Sequence, residues 1–276
     1  MTKESLRYLY ARIKKPSLTK EEAERKVCQE VFVAKLGGDS ELLRRVSFKG
    51  GIILDQLSKG RRGYTKDIDF DLVKYPLSDE GLKSFFLRLS PLPPYENITI
   101  DVASIDELRH KNYEGKRVAL SFSDGKDVFS LTVDIGVHLP LFKGNRSLDY
   151  EIAFGGITRL SINPVERMIA EKLATFSIYG TDNTRDKDLF DAYWLITHIE
   201  HDRAMVAKML EALLVRRTHF FKTLDLAIKE AIDALRDTEY AEALSKTRRN
   251  WTGDGVSKAI EFVVAYLERL SNGHRF

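Results

Sequence analysis

The stretch Phe48–Leu72, FKGGIILDQLSKGRRGYTKDIDFDL, sets a Lys49-Gly50-Gly51 turn a short loop ahead of an acidic run, Asp67-Ile68-Asp69-Phe70-Asp71. Successive side chains of a strand face opposite sides, so Asp67, Asp69 and Asp71 share one face. Ile68, Phe70 and Leu72 take the other, where a core can receive them. Carboxylates held this close repel one another unless a cation lies between them. Hard divalent ions with oxygen ligands suit such a group, Mg²⁺ first and Mn²⁺ as the alternative, and they accompany phosphorylated substrates. Glycines let a backbone approach a phosphate closely, and successive N–H groups at a turn make an anion cradle. Cradle and acids together are the equipment of phosphoryl or nucleotidyl transfer.

Three blander readings compete with this one. An EF-hand calcium loop also opens Asp-x-Asp-x-Asp, but its sixth position needs Gly and is Leu72, and its twelfth needs Glu and is Ser78. A Walker P-loop is excluded because no Gly-Lys-Ser/Thr closes the glycine turn. A solvated strand edge carrying three charges is the common fate of such residues. The interleaved Ile68 and Phe70 argue instead for a half-buried strand, and the upstream glycine turn is a second coincidence.

The 276 residues suffice for one large domain or two smaller ones. An apolar fraction of 43% argues against disorder, and 31% charged residues leave a net charge of only +3. That mild basic excess permits a nucleic-acid partner without requiring one. The basic residues cluster, with Lys59, Arg61, Arg62 and Lys66 around the acids and Lys246, Arg248 and Arg249 near the end. The single Cys28 excludes an internal disulfide framework and fits a reducing cytoplasm. The N-terminus MTKESLRYLYARIKK lacks a signal-type apolar run, and no stretch approaches a membrane span, so a cytoplasmic globular protein is expected.

Periodicity predicts helices up to about residue 45, with Leu6, Leu9, Tyr10 and Ile13 on one stripe and Ser17 or Thr19 as a cap for the next helix. Strand, glycine turn, short helix (Ile52 to Leu57) and acidic strand follow. Asp79 to Leu89 reads as a helix with Leu82, Phe85, Phe86 and Leu89 on one face. Strands are expected at Ile98–Ala103, Arg117–Phe122 and Val128–Leu139, with Asp124-Gly125 as a hairpin turn. Beyond Pro164 the pattern is helical almost to the end.

In the strand FSLTVDIGVHL, Asp134 shares a face with Thr132, Gly136 and His138. Alone it reads as a surface residue, and His138 as a structural or rim histidine. Two-metal phosphoryl transfer, however, needs a third acid from a neighbouring strand, and Asp134 fits that need. Asn163 is expected to cap a helix with Pro164 in its first turn and with Ile169, Leu173 and Phe176 as its buried stripe. Lys172 lies near the edge of this stripe. It reads either as a snorkelling lysine paired with Glu171 or Asp188, or as a point charge for nucleotide phosphates. In the next helix Asp188 and Asp191 share a face at i, i+3.

Four blocks in this order resemble the AbiEii/AbiGii toxin family of nucleotidyltransferases, which includes the MenT toxins. They are Phe48-Lys49-Gly50-Gly51; Thr65-Lys66-Asp67-Ile68-Asp69-Phe70; Val133-Asp134-Ile135-Gly136; and Glu171-Lys172-Leu173 followed by Arg185 and Asp188-Leu189-Phe190-Asp191. The resemblance implies an α+β fold, a DNA-polymerase-β-like nucleotidyltransferase core (a mixed sheet flanked by helices) with a helical C-terminal region. Residues 1–160 would form the core with its N-terminal helices, and 161–276 the helical region completing the active-site cleft. It implies NMP transfer from an NTP with Mg²⁺, as the toxin of a toxin–antitoxin or phage-defence pair, with tRNA as the favoured acceptor and an antitoxin protein as partner. Carried over, Asp67, Asp69 and Asp134 are metal ligands and Gly50 and Gly51 hold the triphosphate. Lys49, Lys172 and Asp188 match the remaining catalytic positions, and Thr65, Lys66 and Arg62 flank the nucleotide. One departure stands out: members commonly carry Arg two residues before the Ser/Thr of the acidic block, and here that slot is Gly63, with Arg62 one step earlier. The competing functions are an aminoglycoside-type small-molecule nucleotidyltransferase and a nucleotide-binding regulator without turnover.

Overall fold

The computed structural model describes residues 4–108, 115–137, 146–217 and 219–272. The chain divides into two compact units, Met1–Asn163 and Pro164–Phe276.

The first unit opens with three helices, α1 (Leu6–Ile13), α2 (Lys20–Gly37) and α3 (Ser40–Arg44). Strand β1 (Val46–Lys49) runs straight into α4 (Gly50–Leu57), followed by β2 (Asp67–Leu72) and α5 (Asp79–Leu89). Five strands complete it: β3 (Thr99–Glu107), β4 (Gly115–Ser123), β5 (Val128–Val137), β6 (Arg146–Glu151) and β7 (Ile157–Ile162). They form one mixed seven-stranded sheet in the order β3-β4-β5-β2-β1-β7-β6. The pairs β2–β5 and β1–β7 are parallel, and the other pairs are antiparallel.

Helix α2 starts where Thr19 and Glu22 cap each other reciprocally, each side chain accepting from the other's backbone N–H. Its Phe32 ring packs 6.0 Å from Phe70 of β2 and 6.5 Å from Phe48 of β1. Phe85 and Phe86 of α5 extend the cluster, Phe85 at 6.1 Å from Phe70 and Phe86 at 6.4 Å from Phe32. All five rings are fully buried. At about 2–3 kcal/mol for each buried phenylalanine, this cluster pins β1 and β2 by their apolar face and leaves the opposite face to the acids.

The second unit is helical: α6 (Val165–Tyr179), α7 (Lys187–His198), α8 (Arg203–Glu211), α9 (Leu224–Arg236), α10 (Thr238–Ser245) and α11 (Val256–Asn272). Helix α6 packs against α7, α8 and α9. Its residues Ile169, Leu173 and Phe176 are fully buried, as the periodicity requires.

Three features differ from the sequence reading. Helix α4 begins at Gly50 rather than Ile52, because Gly50 takes φ +73° and turns the chain directly out of β1. The hairpin β6–β7 was not anticipated, although Gly155 and Gly156, at φ +101° and +98°, turn it between alternating apolar residues. Asn163 does not cap α6: the N-cap is Pro164, and the Asn163 side chain accepts from Ser47 and donates to Asp71 in the first unit's interior. His138 and Leu139 lie outside the described residues. Among the described residues no helix is long and apolar enough to cross a membrane.

Candidate active site

Sheet register decides which acids meet. On β2 and its parallel neighbour β5, Asp67 pairs with Thr132, Asp69 with Asp134 and Asp71 with Gly136. On the other flank β1 sets Lys49 opposite Asp69 and Ser47 opposite Asp71. Cross-strand partners project to the same face, so Asp67, Asp69 and Asp134 share the face turned away from the phenylalanine cluster. Asp134 is thus the cross-strand partner of Asp69 and lies two residues beyond Thr132, the partner of Asp67.

The glycine turn abuts this face. A Cβ added to Gly50 would lie 2.8 Å from Asp69 Cγ, so a side chain there would collide with the carboxylate. A Cβ on Gly51 would lie 2.7 Å from both Arg62 Nη1 and Thr65 Cβ. Arg62 and Thr65 therefore reach the turn, and Arg62 does so from one position before the family's usual slot. Lys49, the N-cap of α4, makes no side-chain cap hydrogen bond. The first backbone N–H groups of a helix have no intrahelical acceptor, and the positive end of its dipole lies there. An anion seated against Gly50 and Gly51 would meet both.

Asp71 behaves differently from the other two acids of its run. It is fully buried, and its Oδ1 lies 2.8 Å from Lys49 Nζ while its Oδ2 accepts from Asn163 Nδ2 at 2.9 Å. Gly136 makes room for this arrangement, since a Cβ there would press on the Asp71 carboxylate and lie 3.6 Å from Lys49 Nζ. Lys49, expected at a catalytic position, is held here in a buried ion pair with Asp71, next to Asp69 on the same face.

Arg117 of β4 is a residue that sequence reasoning missed. It pairs across β4–β5 with Asp134, and its guanidinium grips that carboxylate with both teeth, Nε to Oδ1 and Nη2 to Oδ2, each at 2.7 Å. Burial, and then the Asp134 charge, hold the Asp67 carboxyl above its usual range. Asp134 raises the proton affinity of Arg117, with smaller contributions from Asp67 and Asp69. Among the described residues no three His, Cys, Asp or Glu side chains converge as a ready metal cluster. The donor set nevertheless fits a hard divalent ion: carboxylate oxygens only, mutually repelling, on one face of adjacent strands.

At the Asp67 end a cavity of about 260 Å³ is lined by Arg25, Lys66, Asp67, Ala119, Ser130, Leu131 and Thr132. Lys66 thus lines the flank by β4 and β5, whereas Gly50 and Gly51 follow β1. Arg25, from α2, is a second basic residue at this end that the sequence reading missed.

In the second unit, Lys172 Nζ lies 2.6 Å from Asp188 Oδ1 and 3.3 Å from Asp191 Oδ2. Both acids are buried, and Asp191 also accepts from Trp251 Nε1 at 3.0 Å. Glu171, the other expected partner, pairs with Arg167 instead. The i, i+3 spacing predicted the shared face of Asp188 and Asp191, whereas Trp251 is joined to it only by the fold.

Two solved structures are similar in outline. JHP933 from Helicobacter pylori has 19% identity and a TM-score of 0.48, with 93% of this chain and 97% of that one covered. An antigenic nucleotidyltransferase-like protein from Paracoccidioides brasiliensis has 14% identity and a TM-score of 0.41, with 74% of this chain and 92% of that one covered. No curated protein matches the chain. Residues 36–259, which contain every block described above, match the family described as nucleotidyl transferase AbiEii toxin, Type IV TA system, and the chain belongs to that family.

Proposed function

We propose that this protein transfers a nucleoside monophosphate from an NTP to an RNA acceptor, a tRNA end in the first instance, as the toxin of a toxin–antitoxin or phage-defence pair. The fold is read as a polymerase-β-like core followed by a helical region. One observation carries the reading: Asp69 and Asp134 stand side by side across β2 and β5, with Asp67 on the same face and the uncapped start of α4 against Asp69.

Divalent ions held by Asp67, Asp69 and Asp134, Mg²⁺ in the first instance, would lower the pKa of the attacking hydroxyl and offset phosphate charge. The backbone N–H groups at Gly50 and Gly51 receive the triphosphate, flanked by Arg62 and Thr65. Lys172, held by Asp188, is assigned to phosphate charge as a point cation. The acceptor oxygen forms its bond to the α-phosphorus as the bond to pyrophosphate breaks, and catalysis is positioning plus charge stabilisation. Lys49 sustains the acid face through its pair with Asp71, beside Asp69. A cognate antitoxin is the expected protein partner, consistent with the family.

The test is incubation of purified protein with Mg²⁺, each α-labelled NTP in turn, and total tRNA. Label should pass to RNA from a preferred NTP and be absent with Asp69→Asn of unchanged melting temperature. Label on an aminoglycoside-type acceptor alone would make it a small-molecule enzyme. NTP binding with no pyrophosphate release would make it a regulator.

A further inference from the structure

Arg117 stands in an unusual position for a surface arginine. Its side chain is 49% exposed, yet Nε and Nη2 are both committed to Asp134, whose side chain is only 18% exposed. A bidentate fork of this kind fixes both oxygens of a carboxylate in one plane and one direction. Asp134 therefore offers Arg117 the oxygens that a metal ion would need. The acids share a face by register, but their side chains do not close into a cluster. The strand pairing explains how the arrangement arises, since Arg117 and Asp134 are direct cross-strand partners. Three carboxylates facing one another need compensating positive charge, and Arg117 is the cation in contact with the third.

We propose that Arg117 is the counter-cation of the acid set: it holds Asp134 until a divalent ion takes that carboxylate, and then releases it. The inference rests on the reading of Asp67, Asp69 and Asp134 as ligands. Exposure gives the guanidinium room to leave while the β4 backbone stays in place. The exchange brings one more positive charge to those oxygens, because a divalent ion takes the place of a monovalent guanidinium, and that surplus favours it beside three carboxylates. Arg117 is on this account a positioning residue, keeping Asp134 aimed along the sheet face while no ion is bound and opposing premature ion capture.

The experiment is calorimetric titration of the full chain with Mn²⁺, without NTP, for wild type, Arg117→Gln and Arg117→Lys. Removing charge-assisted hydrogen bonds from a ligand carboxylate should tighten Mn²⁺ binding by about tenfold in Arg117→Gln. Arg117→Lys, with a point charge and no fork, should fall between. In EDTA, Arg117→Gln should melt below wild type, and saturating Mn²⁺ should raise its melting temperature more than it raises the wild type's. Equal or weaker Mn²⁺ binding by folded Arg117→Gln overturns the proposal; if that variant does not fold, the same outcome in Arg117→Lys overturns it. Asp134→Asn separates the two layers. If it leaves Mn²⁺ affinity unchanged, Asp134 is no ligand and the acid-set reading itself fails.

Discussion

Replacing Asp71 by Leu would break the buried ion pair beside Asp69 on the active face, and its cost can be bounded from the geometry. Lys49 Nζ and Asp71 Oδ1 are 2.8 Å apart, with the side chains 10% and 1% exposed. At an effective dielectric of about 20, Coulomb attraction at that distance is about 6 kcal/mol. Desolvating the two ions offsets most of it, so the intact pair contributes little beyond an apolar pair of the same volume. Removing one partner is different, because the other stays buried without its counter-charge. Asp71→Leu also deprives Asn163 Nδ2 of its acceptor. We expect each of Asp71→Leu and Lys49→Met to lose about 3–5 kcal/mol, and the double variant to lose far less than the sum. Equilibrium urea denaturation at pH 7 with a shared m-value measures all four corners of the cycle. Additivity to within about 0.5 kcal/mol would refute the reasoning, since uncoupled sites behave that way. Label transfer by the double variant then separates the jobs of Lys49: recovered activity means that it acts through Asp71, and continued inactivity means that it also touches substrate.

Gly50→Ala should abolish label transfer and cost about 1–2 kcal/mol, because Gly50 sits at φ +73° and its Cβ would strike the Asp69 carboxylate; a folded variant with wild-type turnover would contradict the cradle. Lys172→Met should lose turnover together with about 3 kcal/mol of stability, because Asp188 and Asp191 would stay buried without their lysine. A stable but inactive Lys172→Met would show that the ammonium's main work is on substrate. Lys35 offers a pH test: it is fully buried, donates to the Ser90 and Leu92 carbonyls, and burial lowers its pKa from 10.5 to about 8. The folded state disfavours its charge, so the full penalty is present below about pH 8 and disappears as pH rises to 10.5. The stability of wild type relative to Lys35→Met should therefore climb by up to about 3 kcal/mol across that window. A flat difference in urea denaturation would show that the ammonium is not penalised.

Much of the site was legible because its signals are local. The alternation of Asp67-Ile68-Asp69-Phe70 is a face assignment in itself, and Phe70 does enter the cluster with Phe32 and Phe48. Asp79–Leu89 showed its helix through one apolar stripe, and Ser78 caps it as the chemistry of that residue allows. Within the site the differences are long-range. Nothing near Asp71 distinguishes it from Asp67 and Asp69; its burial is set by Lys49 of β1 and by Asn163, 92 residues away. Arg117 is one arginine in an alternating strand, and only the β4–β5 register sets it opposite Asp134. Asn163 read as a helix cap because Asn before Pro commonly is one, but a buried acceptor took precedence over an exposed cap. Gly136 stood in a recognised block with no evident task until the Asp71 carboxylate was seen to fill its missing Cβ.

The most direct test of the acid set is a Mn²⁺-soaked crystal of the protein with a non-hydrolysable NTP, measured for anomalous scattering. A Mn²⁺ peak is expected bounded by the carboxylates of Asp67, Asp69 and Asp134, with the triphosphate against Gly50 and Gly51 and Arg117 withdrawn from Asp134. A saturating soak with no peak there, or with Mn²⁺ bound elsewhere and the Arg117–Asp134 fork intact, would contradict it.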